Sequence, residues 1–246
     1  MTASGRAALA AVTFLTRVPL GRRIQVSADD VARGEVLFPV VGAGVGLVAG
    51  LGAAGLEGPL PGLVAGAVGV GAAAVLTGGL HLDALADTAD ALGAERPRAL
   101  EIMRDPRIGA FGATALAIAL VAEAGSLGAL ARHGDAVRAF VVAGAVSRAT
   151  APVLAALLPY ARTEGAGGVL SGRGSLGAVA GAALAAAASV FLLGWTGVEL
   201  AAGVGVVAAA CALASWRWLG GVTGDTLGAT IQVSEVATLV GMLALR

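Results

Sequence analysis

The sequence predicts an all-α protein: a polytopic transmembrane helical bundle of about seven spans plus a short N-terminal interfacial or re-entrant helix, in a single integral-membrane domain over residues 1–246. Three observations carry this reading. Hydrophobic residues make up 57% of the chain and charged residues 13%, and mean hydropathy is +0.88, outside the range of soluble domains. Several apolar runs approach the roughly 20 residues that a helix needs to cross a hydrocarbon core. The alternating segments of about ten residues that mark a membrane barrel are missing from the pattern.

Residues 6–20 (RAALAAVTFLTRVPL) are too short to span and carry Arg17, which suits an interfacial or re-entrant helix ending at Pro19. With no small-residue cleavage site, this segment reads as mature protein. Residues 21–33 are expected to be a loop. A first span, about 35–56, holds Gly42, Gly46 and Gly50 at four-residue spacing, the pattern that lets membrane helices approach closely. Further spans are expected at about 62–80, 109–131, 136–158, 175–195, 198–214 and 227–245, joined by polar segments at 81–108, 160–174 and 215–226. Trp195, Trp216 and Trp218 fit an interfacial aromatic belt.

Charge gives an orientation. All sixteen basic residues are Arg, and with sixteen acidic residues the net charge is zero, so no basic surface suggests nucleic-acid binding. Short cytoplasmic loops hold the excess of positive charge. A cytoplasmic N-terminus and seven spans put Arg6, Arg17, Arg22, Arg23, Arg33, Arg96, Arg98, Arg104, Arg107, Arg162, Arg173 and Arg217 on the inside, leaving Arg132 and Arg246 outside. The same count brings the acidic segment, residues 160–174 and residues 215–226 to one face. Polarity concentrated on one face favours an enzyme over a transporter. The single cysteine, Cys211, lies in an apolar helix and supplies neither a disulfide nor a Cys-based metal site.

The candidate chemistry lies between Gly78 and Gly112. A second span continuing past Gly79 puts Asp83, Asp87 and Asp90 at i, i+4 and i+7 on one helix face. Such a stripe repels itself unless a cation binds, and all-oxygen donors favour Mg²⁺ or Mn²⁺, which pairs a few carboxylates with substrate phosphates. The alternative is a solvated acidic helix end neutralised by Arg96, Arg98 or Arg104, although carboxylates near membrane depth are costly and usually functional. His81 could orient a phosphate, act as a general base, or cap the helix. Glu101 and Asp105, interleaved with Arg98 and Arg104, read either as intrahelical salt bridges or as substrate contacts. In DPRIGAFG, Asp105 and Arg107 stand beside glycines at a span's start, where free backbone N–H groups and a guanidinium can hold an anion. Arg148, in mid-span, needs a counterion, and Glu123 is a candidate. Arg17, Arg162 and Arg173 share the acidic face and supply bidentate phosphate contacts or lipid-headgroup anchors. Asp225 opens the last span, as a ligand or an N-cap, and Glu235 lies within it.

Five segments in order, FLTRVP, GGLHLDALADTADALG, RALEIMRDPRIGAFG, PYARTEG and GGVTGDTLGATIQVSE, together resemble the cobalamin synthases, the adenosylcobinamide-GDP ribazoletransferases, over nearly the whole chain. Ala84 and Ala91 depart from that pattern, standing where the family often has glycine. The resemblance implies a transferase of a substituted phosphate group: a hydroxyl of α-ribazole, or of its 5′-phosphate, attacks the cobinamide-side phosphorus of adenosylcobinamide-GDP and releases GMP. It implies Mg²⁺, with Mn²⁺ as the substitute, held by Asp83, Asp87, Asp90 and Asp225. His81, Asp83, Asp87 and Asp90 would be catalytic. Arg17, Glu101, Arg104, Asp105, Arg107, Arg148, Arg162 and Glu235 would bind substrate, with Arg104, Arg107 and Arg162 as phosphate clamps. A multi-pass place in the bacterial cytoplasmic membrane with the active site facing the cytoplasm follows, and homo-oligomers or contacts with other cobalamin-assembly enzymes are compatible with it. Two rival readings are a CDP-alcohol type membrane phosphotransferase, whose motif Asp87, Asp90 and Ala91 approximate, and an ion-coupled transporter using Glu123, Arg148 and Glu235.

Overall fold

A computed structural model describes residues 2–20, 26–163, 165–170 and 175–246. Arg22, Arg23 and Arg173 lie outside the described residues. The first helix, α1 (Ala3–Leu15), starts at Thr2, whose hydroxyl accepts the Gly5 N–H, and packs against α2 (Ala28–Gly34). The expected loop over 21–33 is thus helical in its second half. Ser27 and Asp30 form a reciprocal capping box that starts α2, and Gly34 lets it lie against the backbone of Ala7. A 3₁₀ turn at Glu35–Leu37 leads into α3 (Phe38–Leu56), with Pro39 tolerated in the first turn.

The second span is shorter than expected. Helix α4 (Gly62–Thr77) ends at Gly78 and Gly79, both in the left-handed region with φ of 66° and 70°, and the chain turns by 91° into α5 (Leu80–Ala91). The turn does not disturb the stripe, because Asp83, Asp87 and Asp90 all fall within α5. A short α6 (Arg96–Ile102) follows, then α7 (Ala110–Arg132), α8 (Ala136–Leu157), α9 (Ser175–Leu193), α10 (Trp195–Leu219) and α11 (Gly224–Ala244). Residues 215–219, expected in a polar connection, instead finish α10, and Gly220 in the left-handed region ends it. Among the described residues six helices are long and apolar enough to cross a membrane, and the broken α4–α5 pair brings the number to seven when counted as one span.

In lipid, apolar area alone does not bring helices together, so close backbone approach matters. The glycine stripe of α3 provides it against α8: a Cβ on Gly42 would strike the Gly144 carbonyl, one on Gly46 the Phe140 carbonyl, and one on Gly50 the Val137 backbone. Helix α4 meets α7 in the same way, at Gly62 against Gly128 and Gly66 against Ala124. Helices α8 and α11 are the most enclosed, with 78% and 61% of their apolar windows buried, against 22% for α9 and α10. The site is therefore built against the two inner helices. Leu176, Phe191 and Val206 stand exposed on the outer two, as side chains facing hydrocarbon do.

Candidate active site

Three segments far apart in sequence meet at one end of the bundle. Residues 160–161 pair with Val222, through Ala161 N–H to the Val222 carbonyl at 2.8 Å and Val222 N–H to the Pro159 carbonyl at 2.9 Å. Trp218 Nε1–H donates to the Ala94 carbonyl at 2.8 Å and Arg96 to the Ala161 carbonyl at 3.4 Å, tying α6 and the end of α5 to the same place. Thr223, and not Asp225, caps α11: its hydroxyl accepts the Thr226 N–H while Thr226 accepts the Thr223 N–H. Asp225 is left in the first turn with its carboxylate free of capping, where Arg162 Nη2 reaches it at 2.7 Å.

Asp83 is exposed and Asp87 half-buried on α5. Asp87 feels the like charges of Asp83, Asp225 and Asp90 and the opposite charge of Arg162, and Asp225 feels Arg162 and Asp83. The stripe loses its third member. Asp90 accepts hydrogen bonds from Gly109 N–H at 2.7 Å and Gly112 N–H at 2.8 Å, so it is the anion held at the start of α7. That corrects the expectation of backbone donors open to a substrate there. Both glycines are required, since a Cβ on either would meet the Asp90 carboxylate.

Among the described residues, no group of three or more His, Cys, Asp or Glu side chains is placed to hold a metal ion. Asp83, Asp87 and Asp225 do repel one another, and they fall into two pairs: Asp83 with Asp87 borders one cavity and Asp83 with Asp225 another. One or two carboxylates are the usual protein share of a Mg²⁺ site, with substrate phosphates and water completing it.

Two cavities share Asp83. One, of about 560 Å³, is polar and is bordered by Asp83, Asp87, Arg104, Asp105 and Arg107. Within it Asp105 grips Arg107, taking its Nε–H at 2.9 Å and Nη2–H at 2.6 Å, which pulls the Asp105 carboxyl down to about 2. The grip fixes the guanidinium while leaving further N–H donors free. The other, of about 190 Å³, lies between α1, α5 and α11 and has Asp83, Arg162 and Asp225 beside apolar walls. Ala84 lines this second cavity and packs against Gly228, whereas Ala91 is wholly buried with Ala99 and Leu219, so neither methyl borders the polar cavity.

Other expected site residues lie elsewhere. Arg148 forms a buried ion pair with Glu235 and also feels the opposite charge of the expected partner Glu123, which accepts from Gln232 Nε2 at 2.6 Å. Removing one member of a buried pair costs about 3–5 kcal/mol. Arg148 and Glu235 line neither of the two cavities and act beneath His81, whose Nδ1 is 3.4 Å from Arg148 Nη2. Glu101 is exposed and bonds Arg98 at 2.9 Å, the intrahelical reading. Arg17 donates its backbone N–H to the Leu76 carbonyl at 2.7 Å and runs its side chain along Gly78, at the hinge. Sequence reasoning passed over Phe14, Phe38 and Tyr160, which wall the smaller cavity. The signal was available for two of them, in FLTRVP and PYARTEG.

A model of the family described as cobalamin-5-phosphate synthase matches residues 7–243, nearly the whole chain. The chain belongs to that family. Adenosylcobinamide-GDP ribazoletransferases of Klebsiella pneumoniae (strain 342) and Escherichia coli (strain K12 / DH10B) are each 39% identical to it, over 241 and 243 residues, covering 95% of this chain and 98% of theirs. The protein of the same name from Shigella flexneri is equally similar. No solved structure matches the chain. Membership of the cobalamin-5-phosphate synthase family leaves the CDP-alcohol phosphotransferase and transporter readings without support.

Proposed function

We propose that the chain is an adenosylcobinamide-GDP ribazoletransferase that completes the nucleotide loop of adenosylcobalamin or its 5′-phosphate. A ribose hydroxyl of α-ribazole, or of its 5′-phosphate, bonds to the cobinamide-side phosphorus of adenosylcobinamide-GDP. The phosphorus–oxygen bond to the guanosine-side phosphate breaks, and GMP leaves with that bond's electrons. The observation that carries this is Asp83 standing at the border of both cavities, with Arg104 and Arg107 in the polar one. Fixed guanidiniums in a concave site stabilise charge that builds on a diphosphate as it splits. Asp105 positions Arg107, and Arg162, held by Asp225, faces the same carboxylates from the other side. Asp83 with Asp87, or Asp83 with Asp225, would hold Mg²⁺ or Mn²⁺, which when bound would neutralise charge developing on the diphosphate. Asp90 is outside this set because its oxygens hold Gly109 and Gly112.

The hydroxyl's proton passes to a carboxylate of this cluster. His81 is unsuited, since its Nδ1 faces the Arg148 guanidinium, which only donates. We place the site on the cytoplasmic face of a bacterial membrane, on the strength of the arginine bias. Protein purified in detergent, supplied with Mg²⁺, adenosylcobinamide-GDP and α-ribazole 5′-phosphate, is expected to release one GMP per cobalamin product. Absence of GMP across metals and detergents overturns the reading.

A further inference from the structure

The smaller cavity has walls that the transfer of a phosphate does not require. Phe14 and Phe38, stacked with ring centroids 5.5 Å apart, stand in it with Leu80, Leu227 and Ile231. Besides the charged Asp83, Arg162 and Asp225, two neutral polar side chains interrupt this surface. Tyr160 contributes a buried hydroxyl with no hydrogen-bond partner among the described residues. His81, 3% exposed, stands between this cavity and a third of about 20 Å³ that holds Arg148. A guanidinium has no acceptor, so the contact between Arg148 Nη2 and His81 Nδ1 makes Nδ1 the acceptor and puts the neutral ring's proton on Nε2. That Nε2–H is buried and has no partner among the described residues. An unmade buried hydrogen bond of this kind is costly, and a bound acceptor atom would satisfy it.

We propose that this cavity is the base pocket of the acceptor: it takes the flat, largely apolar bicyclic base of a benzimidazole nucleoside, with His81 Nε2–H donating to the base's bare ring nitrogen. The proposal rests on the transferase reading above and names the part of the substrate that each cavity receives. Chemistry excludes the other parts. A corrin macrocycle with its ring of amides far exceeds about 190 Å³. Guanine fits by size but carries donors and acceptors around its edge that the Phe14, Phe38, Leu80, Leu227 and Ile231 walls cannot answer, and the cavity's charged groups, Asp83, Arg162 and Asp225, are committed to the phosphate site in the reading above. A diphosphate belongs with Arg104 and Arg107. Benzimidazole has two apolar faces for the aromatic walls and one acceptor for one donor. A base seated there leaves its ribose toward Asp83 and Asp225, which border the same cavity, with the diphosphate across Asp83 in the larger one.

Equilibrium binding to the full-length protein in detergent tests this with α-ribazole and with the analogue in which the ring nitrogen is a CH group. Wild type is expected to prefer α-ribazole by about tenfold, the worth of one buried hydrogen bond. His81→Leu is expected to abolish that preference and His81→Gln, which keeps a donor, to restore part of it. Leu80→Trp, at a half-open wall, is expected to weaken both ligands by about tenfold or more. Affinity for adenosylcobinamide-GDP should stay within about twofold in each variant, which also reports an intact fold. A preference that survives His81→Leu overturns the hydrogen bond. Unchanged acceptor affinity in Leu80→Trp overturns the pocket, whether the loss falls on the donor or on a copurifying lipid. Failure of the transferase reading looks different: wild type binds α-ribazole as described and yet forms no GMP.

Discussion

Asp87 has like charge around it from Asp83, Asp225 and Asp90, and Arg162 is the opposite charge it feels. A group so placed is poorly explained by folding alone. Asp87→Ala is expected to lower turnover by on the order of 10²–10³-fold while the protein inserts, purifies and keeps its thermal transition. Turnover within a few-fold of wild type would remove Asp87 from the metal set. Asp105 behaves differently. Its hydrogen bonds from Arg107 hold its carboxyl down to about 2, below the ordinary value of 3.8. A carboxyl lowered on folding contributes above its ordinary value, and that contribution is lost as pH falls through the lowered one. The Asp105–Arg107 pair therefore stays intact across pH 5–9. Asp105→Asn should raise the KM for adenosylcobinamide-GDP several-fold by a constant factor over that window, seen in KM measured at each pH; a factor that varies with pH would show the grip to be titrating. The types and spacing of Asp83, Asp87, Arg104, Arg107 and Arg162 were legible in the sequence. The fate of Asp90 was not, because nothing local reveals that Gly109 and Gly112, nineteen and twenty-two residues on, present N–H groups to it.

At the scale of elements, the long apolar helices were readable from hydropathy, and the errors fall where small local devices override it. Ser27 and Asp30 nucleate α2 inside a polar stretch by capping, an effect that composition does not register. Gly78 and Gly79 in tandem break what reads as continuous helix, since two left-handed residues reverse the screw at no steric cost to glycine. The resulting 91° bend carries the stripe across the end of the bundle, so that it meets α11 and residues 160–162. The glycine stripe of α3 offers a contrast within one helix. Gly46→Ala puts a methyl into the Phe140 carbonyl and is expected to destabilise by about 1–3 kcal/mol, as overpacking does. Gly44→Ala, with nothing within 4 Å of the added carbon, should be neutral or mildly stabilising. Thermal transitions in one detergent compare the two. Equal effects would mean that α3 and α8 are not in backbone contact.

The whole molecule is two-ended. The end formed by residues 78–109, 159–163, 165–170 and 220–225 holds the carboxylates, the two cavities and the bonds that tie the segments together. At the other end, Asp135 bonds Arg138 at 2.6 Å and pairs with Arg246 near Leu193 and Thr196, joining the α7–α8 turn to the last residue. Seven crossings, counting the bent α4–α5 pair as one, would put these ends on opposite sides of a bilayer, and we propose from the arginine excess that the first faces the cytoplasm. The assignment matters for supply, because nucleotide-activated donors and charged nucleoside phosphates do not cross hydrocarbon unaided. Sidedness can be read with single cysteines in a Cys211→Ser background. Glu95→Cys, exposed between α5 and α6, is expected to react with a membrane-impermeant maleimide in inverted vesicles and to be silent in intact cells. His133→Cys, exposed at the α7–α8 turn, is expected to do the reverse. If the two exchange, the orientation is inverted and the site faces away from the cytoplasm. If both react from the same side, α7 does not cross the membrane.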